Sequence, residues 1–224
     1  MIRTGAPQIF GLARFTENLA TAGSGLVRIQ AGARAATSGW LITPPLVVCG
    51  ITAYADDASR TDFRCGVGER GDVSAQVAQL SEGHAGGQLM LLRLDHPVPG
   101  THPLRLGLDR TAEGSPIVLL HHPWGLVEAQ WSPGRVVRVE DRFLRHDADT
   151  ESGSSGGPIL ALPGLAVQAM QLDGGARAAS RALSLSGILD ELHGWQEWAE
   201  IVALHRLAGT TMTGAPASTA PRMS

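Results

Sequence analysis

Short apolar runs constrain this chain more than any other feature. They are Gly25–Ile29, Trp40–Thr43, Leu46–Cys49, Val73–Leu80, Leu89–Leu94, Ile117–Leu120, Val136–Val139, Pro158–Leu160 and Leu165–Leu172. Most are too short for a helix and sit between turn-forming residues, supplied by 28 glycines and 13 prolines. Many short strands at such spacing predict an all-β sandwich or barrel. With 224 residues the chain can form one domain, or two small subdomains sharing a core. A boundary is expected near 94–114, where Pro97, Pro99, Gly100 and Pro103 interrupt strand pairing. One helix is expected from Leu185 to Leu207. It places Ile188, Leu189, Leu192, Trp195, Trp198, Ile201 and Val202 at spacings of three and four, and Gly187 and Gly194 weaken it. From Gly209 the chain is small and polar and reads as a disordered tail.

Composition removes several classes of function. Hydrophobic residues make up 43% and charged residues 17%, the balance of a globular protein. The net charge is -3 and no basic block exists, so nucleic acid is not an expected partner. No run of about 18 apolar residues exists to span a membrane. The first residues, Met1-Ile2-Arg3-Thr4-Gly5-Ala6-Pro7, lack an apolar export signal, and a cytoplasmic location is the expectation. Cys49 and Cys65 are then expected as reduced core thiols. No H-E-x-x-H or C-x-x-C spacing points to a metal, and no lysine follows the glycine-rich stretch as a phosphate loop requires. No cofactor is expected.

One stretch carries chemistry. Gly153-Ser154-Ser155-Gly156-Gly157-Pro158 lets the backbone turn sharply and leaves a hydroxyl at its tip. Amides in such a turn can converge on one point, as stabilisation of an oxyanion demands. The same composition also suits an ordinary loop between strands, and on this stretch alone both readings stand.

The surrounding sequence resembles the trypsin-like serine peptidases, especially their bacterial, V8-like branch. Ser38-Gly39-Trp40-Leu41-Ile42-Thr43-Pro44 through Val47-Val48-Cys49 resembles the strand leading to that family's catalytic histidine. Gln88 to Asp95 resembles the segment holding its aspartate. Pro116 to Gly125 resembles the strand opening the second barrel. Asp149 to Ser155 resembles its nucleophile block, and Val167 to Gly175 the strand lining the specificity pocket. The resemblance implies two six-stranded antiparallel barrels with a C-terminal helix. The expected layout is an N-terminal extension over 1–23 and a peptidase domain over 24–208. Within it fall barrel 1 at about 24–100, barrel 2 at about 114–184 and the helix at about 185–207, with the tail at 209–224. It further implies Ser155 at the nucleophile position, the amides of Gly153 and Ser155 as oxyanion hole, and Gln171, Asp173 and Gly174 at the specificity pocket.

The departures fall on the chemistry. The histidine position is Thr52 and the aspartate position is Gln88. A threonine hydroxyl is far too weak a base to take a proton near pH 7, and a neutral amide cannot stabilise an imidazolium. The resemblance therefore leads to a pseudo-peptidase, a module binding a polypeptide substrate or protein partner, as in bacterial conflict or signalling assemblies. The alternative is an active serine endopeptidase with a relocated base, His84 or His146. His121 and His122 end a strand and are expected to be structural. Gln171 stands where V8-like enzymes place a histidine toward acidic side chains, so glutamate selectivity is not implied.

Overall fold

The computed structural model describes residues 12–32, 36–50, 63–68, 71–81, 89–107, 111–175 and 178–205. Among them, twelve strands form two closed antiparallel barrels of six. The first holds β1 (Leu26–Ala31), β2 (Thr37–Thr43), β3 (Leu46–Gly50), β4 (Phe63–Val67), β5 (Asp72–Leu80) and β6 (Leu89–Leu94), in the order β1-β2-β3-β6-β5-β4. The second holds β7 (Pro116–His121), β8 (Gln130–Val139), β9 (Phe143–His146), β10 (Pro158–Ala161), β11 (Ala166–Gly175) and β12 (Ala178–Ser184), in the order β10-β11-β12-β9-β8-β7. Closure leaves neither sheet a free edge.

The continuous apolar character of β2, β3 and β6 has a direct cause. Successive strand side chains point to opposite faces, and here both faces are buried. Leu41, Val47, Cys49, Met90 and Leu92 fill the interior of the first barrel. Their neighbours Trp40, Ile42, Leu46, Val48, Leu89 and Leu91 face outward into a second cluster shared with the other barrel and the helices. Trp40, Leu41, Leu46, Val48, Leu91 and Leu119 are all fully buried. Ile117, Leu119, Val136, Leu144 and Ile159 fill the second barrel.

Between the barrels, Leu104 N–H donates to Leu41 O (2.9 Å) and Val167 N–H to Arg105 O (2.8 Å), so the linking segment is stitched to both. The N-terminal side adds an unanticipated helix, α1 (Leu12–Gly23), whose Phe15, Leu19 and Ala22 pack on the shared cluster.

The expected C-terminal helix is two helices, α2 (Leu185–Leu192) and α3 (Trp198–His205). Ser184 caps α2, its Oγ accepting from Gly187 N–H at 3.2 Å. α2 lies on β11 and β12 of the second barrel, whereas α3 lies on β2 of the first. One straight helix cannot serve both surfaces, and the chain turns between them past Gly194. α3 is tied down by polar contacts. His205 Nε2 donates to Ile42 O at 2.7 Å, and Thr43 Oγ1 donates to Glu200 Oε1 at 2.7 Å. No helix among the described residues is long and apolar enough to cross a membrane. The segment 209–224 lies outside the described residues.

Candidate active site

The Gly153–Pro158 turn sits where the second barrel meets the first. Its carbonyls are anchored on β2. Ser155 O accepts from Ser38 N–H (3.0 Å) and from Thr37 Oγ1 (2.7 Å). Gly153 O accepts from Ser38 Oγ (2.7 Å), which itself accepts from His122 N–H (2.8 Å). Ser38 is fully buried, so these bonds are shielded from water. Across the turn, Gly156 N–H donates to Gln171 O and Gln171 N–H to Gly157 O, both at 2.8 Å.

Two further bonds fix the orientation of the amides. The Gly153 N–H shares a peptide plane with Ser152 O, which accepts from Trp124 N–H at 2.5 Å. The Ser155 N–H shares a plane with Ser154 O, which accepts from Gly157 N–H at 3.0 Å. In a trans peptide the N–H points opposite to the C=O. Pinning each carbonyl therefore fixes the direction of the N–H. Gly153 has φ +91 and Gly156 φ +83, conformations open to glycine. A Cβ on Gly153 would lie 2.5 Å from His122 O, and one on Gly156 would collide with Ser38 O.

Trp124 holds φ +53, a left-handed conformation that is strained for a bulky residue. It lies in a single 3-10 turn, Pro123–Gly125, and this conformation delivers its N–H to Ser152 O. Strain of this kind costs roughly 1–3 kcal/mol and persists only where surrounding structure enforces it.

Beneath the turn lies a buried hydroxyl–imidazole pair that the sequence did not reveal. Ser154 Oγ is 2.6 Å from His121 Nδ1 and accepts from Glu151 N–H at 2.9 Å. The Ser154 hydroxyl keeps a second lone pair as well as its proton, so the ring tautomer sets which atom donates along Ser154, His121 and Ser132, whose Oγ lies 3.1 Å from His121 Nε2. Burial, with His122 beside it, pushes the His121 pKa down to about 4. The adjacent His122 is also buried and hydrogen-bonded within the second barrel. His122 Nδ1 donates to Leu126 O at 3.0 Å, and burial lowers its pKa.

An open cleft of about 1310 Å³ runs along the turn, lined by Ser155, Gly153, Thr150, Gln171 and Asp173 among others. Gln171 is buried. Its Oε1 accepts from His146 Nε2 at 2.6 Å and its Nε2 donates to Asp173 O at 3.0 Å. Asp173 is exposed, and Gly174 follows it on β11. His146 is fully buried in the same cleft wall, with its pKa lowered mainly by that burial. Thr52, Gln88 and His84 lie outside the described residues. Among the described residues no three His, Cys, Asp or Glu side chains converge as metal ligands would.

Residues 23–167 match the sequence profile of the trypsin-like peptidase domain, more than half of the chain. The chain belongs to the trypsin-like peptidase family. The fold is shared with the Rv3671c protease of M. tuberculosis. Its active form is 18% identical, with a TM-score of 0.66 over 88% of this chain and 92% of that one. Its inactive form is also 18% identical, with a TM-score of 0.67 over 83% of this chain and 96% of that one. No functionally curated protein matches the sequence. In this trypsin-like domain, the residues that sequence reasoning missed are Trp124, His121, Ser132 and Thr37. The adjacent pair Thr37-Ser38, polar at the head of an apolar strand, was the available signal for the anchor on β2.

Proposed function

We propose that this trypsin-like domain is a pseudo-peptidase of the V8-like branch, binding an extended polypeptide in the cleft beside Ser155 without turning it over. Gly153 and Ser155 are the oxyanion donors in this reading, and Gln171, Asp173 and Gly174 line the side-chain pocket. Thr52 and Gln88 occupy the positions of base and orienting acid. The observation that carries the proposal is the commitment of the second barrel's buried histidines. His121 serves Ser154 and Ser132, His122 serves Leu126, and His146 gives its Nε2 to Gln171. A serine hydroxyl without a base is a poor nucleophile. Losing the base costs about six orders of magnitude in turnover.

The second reading, an active endopeptidase with a relocated base, has one observation in its favour. His146 lines the same cleft and its Nδ1 has no partner among the described residues. A labelled fluorophosphonate separates the two, since it reacts only with an activated serine. The pseudo-peptidase reading expects no labelling of the wild-type chain and partial recovery in Thr52→His combined with Gln88→Asp. Thr52→His alone should recover less, because nothing fixes its tautomer. Labelling of the unmodified chain that disappears in Ser155→Ala and in His146→Gln would establish the second reading instead.

A further inference from the structure

At the ends of β10 and β11 away from the Gly153–Pro158 turn lies a groove that shares no described lining residue with the cleft. It runs between α1, the linking segment at His102–Arg105 and the β10–β11 connection at Pro163–Leu165, and its volume is about 660 Å³. That size falls within the range of small-molecule sites, about 300–1,000 Å³. Its walls are fixed. Leu104 N–H donates to Leu41 O and Val167 N–H to Arg105 O, which ties the linking segment to both barrels. Just past α1, Gly25 approaches so closely that a Cβ there would collide with His102 O and lie 3.4 Å from the Leu104 side chain. Ala22, Leu104 and Leu165 form a buried apolar floor, with Phe15 half-buried beside them.

The rim is cationic. Arg14 and Arg105 line the groove, and among the described residues no carboxylate does. Neither arginine has an ion-pair partner among the described residues. Arg105 is held in place, its Nη2 donating to Gly164 O at 2.6 Å. Two features here run against folding. Arg14 stands in the first turn of α1, which carries no acidic residue. A cation there opposes the partial positive charge of a helix N-terminus, where a carboxylate is stabilising. Leu165 holds φ +50, a left-handed conformation that is strained for a bulky residue. Strain of this kind collects at ligand sites. A bound anion would remove the first conflict, since it pairs with Arg14 at the favourable end of the helix.

We propose that this groove binds a small organic carboxylate with an apolar body. The carboxylate meets Arg14 and Arg105, and the hydrocarbon or aromatic part rests on Phe15, Ala22, Leu104 and Leu165. A planar carboxylate matches the fork of a guanidinium, which accounts for arginine at both positions. An extended polypeptide is disfavoured, because both barrels are closed and offer no strand edge for it to pair with. The assignment is independent of what Ser155 does.

The test titrates the isotope-labelled full chain with phenylbutyrate, its neutral amide phenylbutanamide, the cation phenylbutylamine, and acetate, read by amide chemical shifts. Phenylbutyrate should shift residues of α1, Leu104, Arg105, Gly164 and Leu165, and leave Ser154 and Ser155 in place. Two exposed charge pairs together should favour the carboxylate over the amide by about tenfold, with the amine weakest. Acetate, which lacks the apolar body, should bind at least about tenfold more weakly than phenylbutyrate. Arg14→Gln and Arg105→Gln should each reduce the preference for the carboxylate about threefold, and the double variant should abolish it. Arg105→Lys should keep only part of it, since the ammonium lacks the fork. Without ligand, Arg14→Gln should not lower the melting temperature, because the cation it removes opposes the helix dipole.

Equal affinity for the amide, shifts confined to the Ser155 cleft, or no saturable binding of phenylbutyrate in the millimolar range overturns the proposal. Tighter binding of the capped peptide Ala-Leu-Glu-Phe-Ala at the same residues would assign the groove to a polypeptide and overturn the small-acid assignment.

Discussion

Replacing Ser154 with alanine tests whether the buried pair under the turn holds the site together. The substitution removes one hydroxyl and leaves two groups without it. Glu151 N–H loses its acceptor at 2.9 Å and His121 Nδ1 loses its partner at 2.6 Å. A buried polar group left unpaired costs about 1–3 kcal/mol. Glu151 is exposed and His121 borders the open cleft, so water can reach both and the sum falls toward the lower end. A loss of about 2 kcal/mol is expected, which is about 4–8 °C in melting temperature for a chain of this size. Urea unfolding of the single variants Ser154→Ala and His121→Leu, and of the pair, isolates the bond between them. The double-mutant cycle should return a coupling of about 1–2 kcal/mol. Ser132→Ala, which removes only the partner of Nε2, should cost about 0.5–1 kcal/mol. Effects of Ser154→Ala and His121→Leu that add within about 0.3 kcal/mol would refute the pair as an energetic unit.

Acid should destabilise the fold well above the range where carboxylates titrate. The His121 pKa is lowered from 6.5 to about 4, so between those values the unfolded chain binds a proton that the folded chain does not. Stability therefore falls as pH drops from 6.5 to about 4, by about 3 kcal/mol for this group alone, and His122, His146 and His205 act in the same direction. His121→Gln should flatten that part of the stability curve, and an unchanged slope would exclude the assignment. Cys49 and Cys65 are buried free thiols whose pKa values burial raises, that of Cys65 to about 12. Iodoacetamide should label neither in the folded protein and both in denaturant, as intact-mass measurement would show. Gly156→Ala should unfold the turn or the protein, because its Cβ would meet Ser38 O while φ is +83. A soluble variant with wild-type melting would contradict the packing described.

Much of the first barrel was legible because its strands are buried on both faces and read as unbroken apolar runs. β4, β9 and β12 were not. Phe63-Arg64-Cys65-Gly66-Val67 alternates buried and more exposed positions, so only its period of two marks it as a strand. Phe143-Leu144-Arg145-His146 is four residues long, and Ala178–Ser184 is mostly alanine and serine. In such strands the partner supplies the order, through registers such as Leu183 with Phe143 and Ala182 with Leu144. α1 escaped notice although Phe15, Leu19 and Ala22 carry helical spacing, because a stripe of about two turns in a terminal segment is a weak signal. At the site, motif spacing pointed to the turn, and Gln171 and Asp173 line the cleft beside it. It could not locate His121, whose role depends on a hydroxyl 33 positions away.

The turn also carries a structural role that is separate from any chemistry at Ser155. Removing a general base abolishes chemistry but touches few contacts. The Gly153–Pro158 turn is different, since it joins the barrels: Ser155 O and Gly153 O receive three hydrogen bonds from Thr37 and Ser38. At about 1 kcal/mol net each, they represent a substantial part of the margin by which a domain is stable. All three are accepted by backbone carbonyls, and none requires the Ser155 hydroxyl. The glycine pattern is thus demanded by folding whether or not the protein hydrolyses anything. Ser155→Ala should accordingly leave the melting temperature within about 1 °C of wild type, whereas Ser38→Ala, which strands Gly153 O and His122 N–H in a buried setting, should lower it by about 4–10 °C. Equal effects of the two variants on melting would remove the structural explanation for the turn and return the serine to chemistry.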